Sequence, residues 1–278
     1  MGMYEFNRAA DLVEKIADDL HNIARQSFDA AGARRDAERR MSHMIDTSRI
    51  TPQTNRMLNA EVARVQKESE SALERQAFAL VQQLPSAEAE LSRTFEEVRP
   101  KRDTSTTTAI MLSQERWEAA KAIIESGRSI ETALEVADMA GVLAIEAFAP
   151  DYLFAESRRS TLGNPGVDIA DIKRSVDLKT RARIIELADG AAAEIMAKAH
   201  RANGFVEVAW EWANHLERRF QGRANDAMGT AVTVAYIRRD YGIDKTPRQE
   251  RDEKQKALGD AASSKLRRVE HWARRVSV

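Results

Sequence analysis

Apolar side chains recur at steps of three and four from Phe6 onward, and no proline interrupts the chain between Tyr4 and Ile45. One row holds Phe6, Val13, Leu20 and Ser27. A second holds Ala9, Ile16, Ile23, Ala30 and Ala37, and a third, beside it, Ala10, Ala17, Ala24 and Ala31. Residues three and four apart are neighbours on one helical face, so this pattern predicts a single helix over residues 4–45. About 40 residues at 1.5 Å each span about 60 Å. A helix of that length is stable only with a partner along its face, and the alanine row lets that partner approach closely. Past Ala31 the face thins to Ala37, Met41 and Met44, while Arg34, Arg35, Arg39 and Arg40 break it with charge, interleaved with Asp36 and Glu38. The seam residues Phe6, Val13, Ile16, Leu20 and Ile23, with Arg34, Arg35, Arg39, Arg40, Met41 and Met44, are therefore the candidate protein-contact residues.

A second helix is expected over about 52–98. Thr51 can cap it, and Pro52 suits its first position. Its stripe runs Leu58, Val62, Val65, Ser69, Leu73, Ala77, Leu80, Leu84 and resumes at Leu91, Phe95 and Val98. Pro85 should kink or break it, and Ser86 is a candidate cap for a new start. The drift lies nearer 3.6 than 3.5 residues per turn, which favours a helical hairpin over a long supercoil. Residues 1–100 thus read as a long antiparallel helical hairpin, coiled-coil-like. Residues 101–108, charged and then threonine-rich, read as a linker, and residues 109–278 as a globular multi-helix bundle.

Within the bundle, Ser113 is a candidate cap for a helix ended by Gly127. Ser129 starts another that is apolar nearly all round, stopped by Pro150, and expected near the middle of the domain. Residues 158–168 form a loop around Asn164-Pro165-Gly166. A helix from about Ile169 is expected to stop at Asn203-Gly204. Residues 205–241 carry both strand-like alternation (Val206, Val208, Trp210, Trp212) and helical stripes; helix is the favoured reading and a small hairpin its rival. Thr246-Pro247 opens a last helix with a capping box.

Few glycines (12) and prolines (6) fit long helices and argue against glycine-rich nucleotide-binding folds. Cysteine is absent, which excludes disulfides and thiolate metal sites and fits a reducing compartment. No stretch approaches the ~20 apolar residues of a membrane span, and the N-terminus lacks a signal-peptide pattern. The expected location is the cytoplasm or the interior of a macromolecular particle, without secretion by a signal peptide. The 43 basic and 44 acidic residues nearly cancel, but residues 245–278 hold 10 basic against 5 acidic. There Arg267, Arg268, His271, Arg274 and Arg275 share one helical face that could meet nucleic-acid phosphates or another anion.

Three other patterns invite chemistry. Ala137-Asp138-Met139-Ala140-Gly141 has the spacing of a helix-turn-helix turn, but the next residues, Val142 to Phe148, hold no base-reading side chain. Glu207, Glu211 and His215 stand at i, i+4 and i+8, where a metal would need further ligands from a second helix. No phosphate-binding loop, dinucleotide fingerprint or nucleophile elbow is present. The chain therefore reads as a non-enzymatic protein with no cofactor and no metal. Its expected role is protein–protein interaction or structural assembly, including within a viral or other large particle. Its arm would contact other proteins, copies of itself first among them as a homo-oligomer. Binding of nucleic acid through the C-terminal helix, or inhibition of another macromolecule by the arm, are the competing readings. No membrane partner is expected.

Overall fold

The computed structural model describes residues 3–46, 51–159, 168–223 and 227–243. Every regular element among them is a helix, so the protein is all-α, and the described residues of 205–241 contain no strand. In order, these are α1 (Met3–Asp46), α2 (Pro52–Val81), α3 (Leu84–Val98), α4 (Thr107–Glu125), α5 (Ile130–Val136), α6 (Met139–Arg159), α7 (Ile169–Leu187), α8 (Gly190–Phe220) and α9 (Met228–Asp240). The chain divides into compact units Met1–Tyr241 and Gly242–Val278, and all these helices belong to the first. The last expected helix, from Thr246, and the turn at Asn164-Pro165-Gly166 lie outside the described residues.

Local chemistry sets most boundaries. Thr51 caps α2, accepting from the Thr54 amide at 3.3 Å, and Pro52 takes the first position. Pro85 ends α2 by forcing a restart: α3 begins at Leu84, and Ser86, instead of capping it, donates to the Gln83 carbonyl. Thr106 caps α4, so Thr107 and Thr108 are helical and Ser113 lies buried inside the helix. Gly127 follows the end of α4 at φ 85°, a left-handed conformation that suits glycine.

Three expected stops move. The helix from Ser129 breaks at Ala137-Asp138, where Asp138 accepts from the Gly141 amide at 2.9 Å and opens α6. Pro150 does not stop α6, which runs on to Arg159 with Pro150 buried inside it. Proline forfeits the hydrogen bond to the carbonyl four residues back, and the buried run Val142–Ile145 with Ala149 keeps the helix seated in spite of that loss. Asn203-Gly204 is mid-helix; the true interruption is Ala188-Asp189, with Gly190 at φ 62°.

The centre of the fold is α8. Its buried residues include Met196, Ala199, Ala202, Gly204, Phe205, Val206, Val208, Ala209, Trp212 and Leu216, so they cover nearly the whole circumference of its middle. The most central position thus belongs to α8, while the 130–148 stretch expected there contributes its Val142–Ile145 segment. The first half of α1 lies along α8, and α3 packs on both. Contacts fix the direction: Lys198 donates to Asn7 at 2.8 Å, His21 stacks on Trp212 at 4.7 Å, and Arg219 donates to the Ser27 carbonyl at 2.6 Å. Rising numbers on α1 meet rising numbers on α8, so the two helices run parallel. All three sequence rows are buried from Phe6 to Ser27. The alanines at 10, 17 and 24 face the same core as Ala199, Ala202 and Ala209, and small side chains shorten the distance between packed helices.

The 101–106 segment is tied down. Arg99 ion-pairs with Glu146 of α6, and Arg102 lies 5.0 Å from the Phe148 ring centroid. Arg183 of α7 donates to the Leu134 and Glu135 carbonyls at 3.1 and 2.9 Å, satisfying the open end of α5.

Candidate functional site

Two surfaces stand out once the core is accounted for. The first is the arm. Among the described side chains, burial along α1 ends at Ser27, and along α2 it begins at Leu73. Between these limits Phe28 is 44% exposed, Met57 69%, Leu58 41% and Val65 52%. The predicted α2 stripe therefore splits: Leu73 and Ala77 are buried, while Leu58 and Val65 meet solvent. Arg64 bridges Glu61 and Glu68 at 2.6 and 2.9 Å along the helix surface.

The candidate contact residues divide in the same way. Phe6, Val13, Ile16, Leu20 and Ile23 are buried within the chain's own core. Arg39 and Arg40 lie exposed on the distal part of α1. Arg34, Arg35, Met41 and Met44 belong to the same helix, but their side chains are outside the described set. Arg267, Arg268, His271, Arg274 and Arg275 lie outside the described residues.

The second surface was not anticipated. α7 and α9 both pack on α8, and between them lies a cleft of about 1020 Å³. Leu178, Trp210, Tyr236 and Ile237 give it apolar wall, and eight charged side chains line it. Arg174 pairs with Glu207, Lys179 with Glu131 at 2.5 Å, and Arg239 with Asp240 at 2.9 Å. The hydrogen bond from Lys179 holds the Glu131 carboxyl at a pKa of about 2. Asp171 and Glu211 have no ion pair among the described residues.

Behind the cleft wall lies a polar layer. The Tyr241 hydroxyl donates to Glu207 at 2.7 Å, and its ring meets His200 at 4.8 Å. Burial, and then Glu207, push the Tyr241 phenol up. Burial, with the Arg181 guanidinium beside it, lowers the His200 imidazole to about 4, so this histidine is neutral in the fold. At the α1–α8–α9 junction, burial and Arg238 lower His21, and burial raises Asp18.

The Glu207–Glu211–His215 strip does not converge. Glu207 is engaged by Arg174 and Tyr241, whereas His215 is buried and shares a 3.3 Å hydrogen bond with Thr230. Among the described residues no group of three or more His, Asp or Glu side chains is placed to hold a metal. The Ala137–Gly141 turn is a helix–helix junction, but Val142, Leu143, Ala144 and Ile145 are buried and present nothing to a DNA groove. No described helix is long and apolar enough to cross a membrane. Comparisons of the chain with protein-family models, curated proteins and solved structures give no match.

Proposed function

We propose that this is a non-enzymatic helical interaction or assembly protein that makes its contacts through the N-terminal arm, with further copies of itself as the partner. In this reading α1 beyond Ser27 and α2 before Leu73 form an antiparallel helical hairpin that extends past the core. The observation that carries the proposal is the exposure of Phe28, Met57, Leu58 and Val65 on helices whose other halves bury an apolar seam, Phe6 to Ser27 on α1 and Leu73 with Ala77 on α2. Apolar side chains held in water on a rigid helix mark an interaction surface when they recur along one element. The length of α1 supports it too. Its 44 residues span about 66 Å, while only the stretch to Ser27 is needed to cover α8.

The test is native mass by light scattering across a concentration series, for the wild type and for Met57→Glu/Val65→Glu. Both positions are exposed, so the monomer should fold normally. The expected result is an oligomer in the wild type that the substitutions dissociate. A wild-type monomer at every concentration would sink the self-association reading.

A further inference from the structure

We infer that the cleft between α7 and α9 binds a small amphiphilic organic cation, its ammonium head against Trp210, Asp171 and Glu211 and its apolar body along Leu178 and Ile237. The site is separate from the arm and does not depend on self-association. Its geometry follows from helix register. Arg174 of α7 pairs with Glu207 of α8, and seven residues on along α7 Arg181 stands beside His200, seven residues back on α8. The two helices therefore run antiparallel, and Asp171 comes level with Trp210 and Glu211. His200 meets Tyr241 and His215 meets Thr230, so α9 also runs antiparallel to α8. Leu178 and Ile237, on the two opposite walls, consequently come level with each other about six residues, or ~9 Å, from Trp210 along α8. One end of the void is acidic and aromatic. The other is aliphatic, beside the closed Lys179–Glu131 pair.

The groups at the acidic end are uncommitted. Among the described residues, Arg174 is held by Glu207, Lys179 by Glu131 and Arg239 by Asp240, while Asp171 and Glu211 have no ion pair. The rings divide likewise. Arg239 lies 5.1 Å from the Tyr236 ring centroid, and Tyr241 meets His200. The Trp210 face has neither a cation nor a ring on it among the described residues; its indole nitrogen donates to Glu88 at 3.3 Å. An open indole face beside two carboxylates attracts a cation through the ring quadrupole and through charge. An anion would meet both carboxylates without a free cation to offset them. A bare metal ion needs more ligands than two carboxylates supply, and no group of three metal-ligating side chains occurs among the described residues. An organic cation fits, and the aliphatic end adds the requirement for an apolar body. At about 1020 Å³ the cleft has the size of a small-molecule site.

Titration calorimetry of the full-length protein with n-hexylammonium tests this. One site should be seen, and the isosteric variant Asp171→Asn/Glu211→Gln, checked for unchanged helicity, should bind at least about tenfold more weakly. n-Hexanoate has the same body and the opposite charge, and ethylammonium keeps the charge without the body. Each should bind at least about tenfold more weakly than hexylammonium. Trp210→Leu, which keeps an apolar wall and removes the ring face, should weaken hexylammonium several-fold. A lysine side chain carries the same head and stem, so Nα-acetyl-lysine methylamide separates a free amine from a polypeptide. Tighter binding of hexylammonium supports the free amine as the source. Equal or tighter binding of the lysine derivative overturns it. No binding of hexylammonium at about 10 mM, or full affinity in the carboxamide variant, overturns the inference. None of these outcomes touches the arm reading, because no substituted residue lies on α1 or α2.

Discussion

The two halves of α1 are one helix under two regimes. From Phe6 to Ser27 its seam side chains are buried, and the helix packs on α8 and α3. Burying a large apolar side chain there contributes about 1.5–3 kcal/mol. Past Ser27 the backbone stays helical, yet Phe28 is already half in water, and on α2 so are Leu58 and Val65. Continuous secondary structure therefore does not mean continuous stabilisation. The proximal half is held by packing, and the distal half by its own backbone hydrogen bonds.

Substitutions should break this comparison first at Leu20, which is fully buried on the proximal half. Leu20→Ala should cost about 2–5 kcal/mol in urea unfolding, because it removes buried area and leaves a cavity. Leu58→Ala, the same chemistry on the arm, should move monomer stability by less than about 0.5 kcal/mol. Equal losses would show that the arm is as integral to the core as the seam.

Next in size is a pH effect confined to the packed region. His200 is buried, with its pKa lowered to about 4 against 6.5 for the free imidazole. Because the unfolded chain binds this proton first, stability is full above about pH 6.5. It falls as the pH drops toward about 4, by roughly 3 kcal/mol from this group. His200→Gln should flatten the stability–pH curve over that window, whereas substitutions on the arm should leave its slope unchanged. An unaltered slope in His200→Gln would place the proton uptake elsewhere.

How much of this was legible in the sequence follows from what periodicity can and cannot encode. The rows through Phe6, Ile16 and Ala24 reveal a buried face because three adjacent rows agree for three turns and more. The partner is not written there, however: the seam meets α8, almost 200 residues away, more extensively than it meets α2. The α2 stripe has the same period at Leu58 as at Leu73, and only the presence of a neighbour separates them. Single-residue stops misled where packing outweighs propensity. Gly204 sits buried in the middle of α8, and Pro150 gives up one hydrogen bond inside a well-buried helix. The cleft was invisible for a related reason. Asp171, Glu211 and Asp240 each lie on a helix face that reads as an ordinary polar surface, and only the fold sets those faces around one void.

Smaller effects sharpen the contrast further. Thr51 holds the first turn of α2 through its bond from the Thr54 amide. Thr51→Ala should cost about 1 kcal/mol locally. It should be seen as roughly fivefold faster amide exchange in residues 53–56, with no change at the Phe6–Ser27 seam. Faster unfolding of the whole unit would instead couple the cap to the core.

The smallest expected change is at Arg64, whose pairs with Glu61 and Glu68 are exposed on all sides. Exposed ion pairs lose most of their Coulomb energy to water and to the entropy of two ordered side chains. Arg64→Gln should therefore leave the unfolding midpoint of the monomer unmoved. The same guanidinium lies on the exposed surface of the proposed contact arm, so self-association should still weaken measurably. A stability change without an association change would assign Arg64 to holding the arm together. An association change at constant stability would assign it to contact with the next molecule. The two measurements on one variant thus separate what keeps the distal helices folded from what they are folded for.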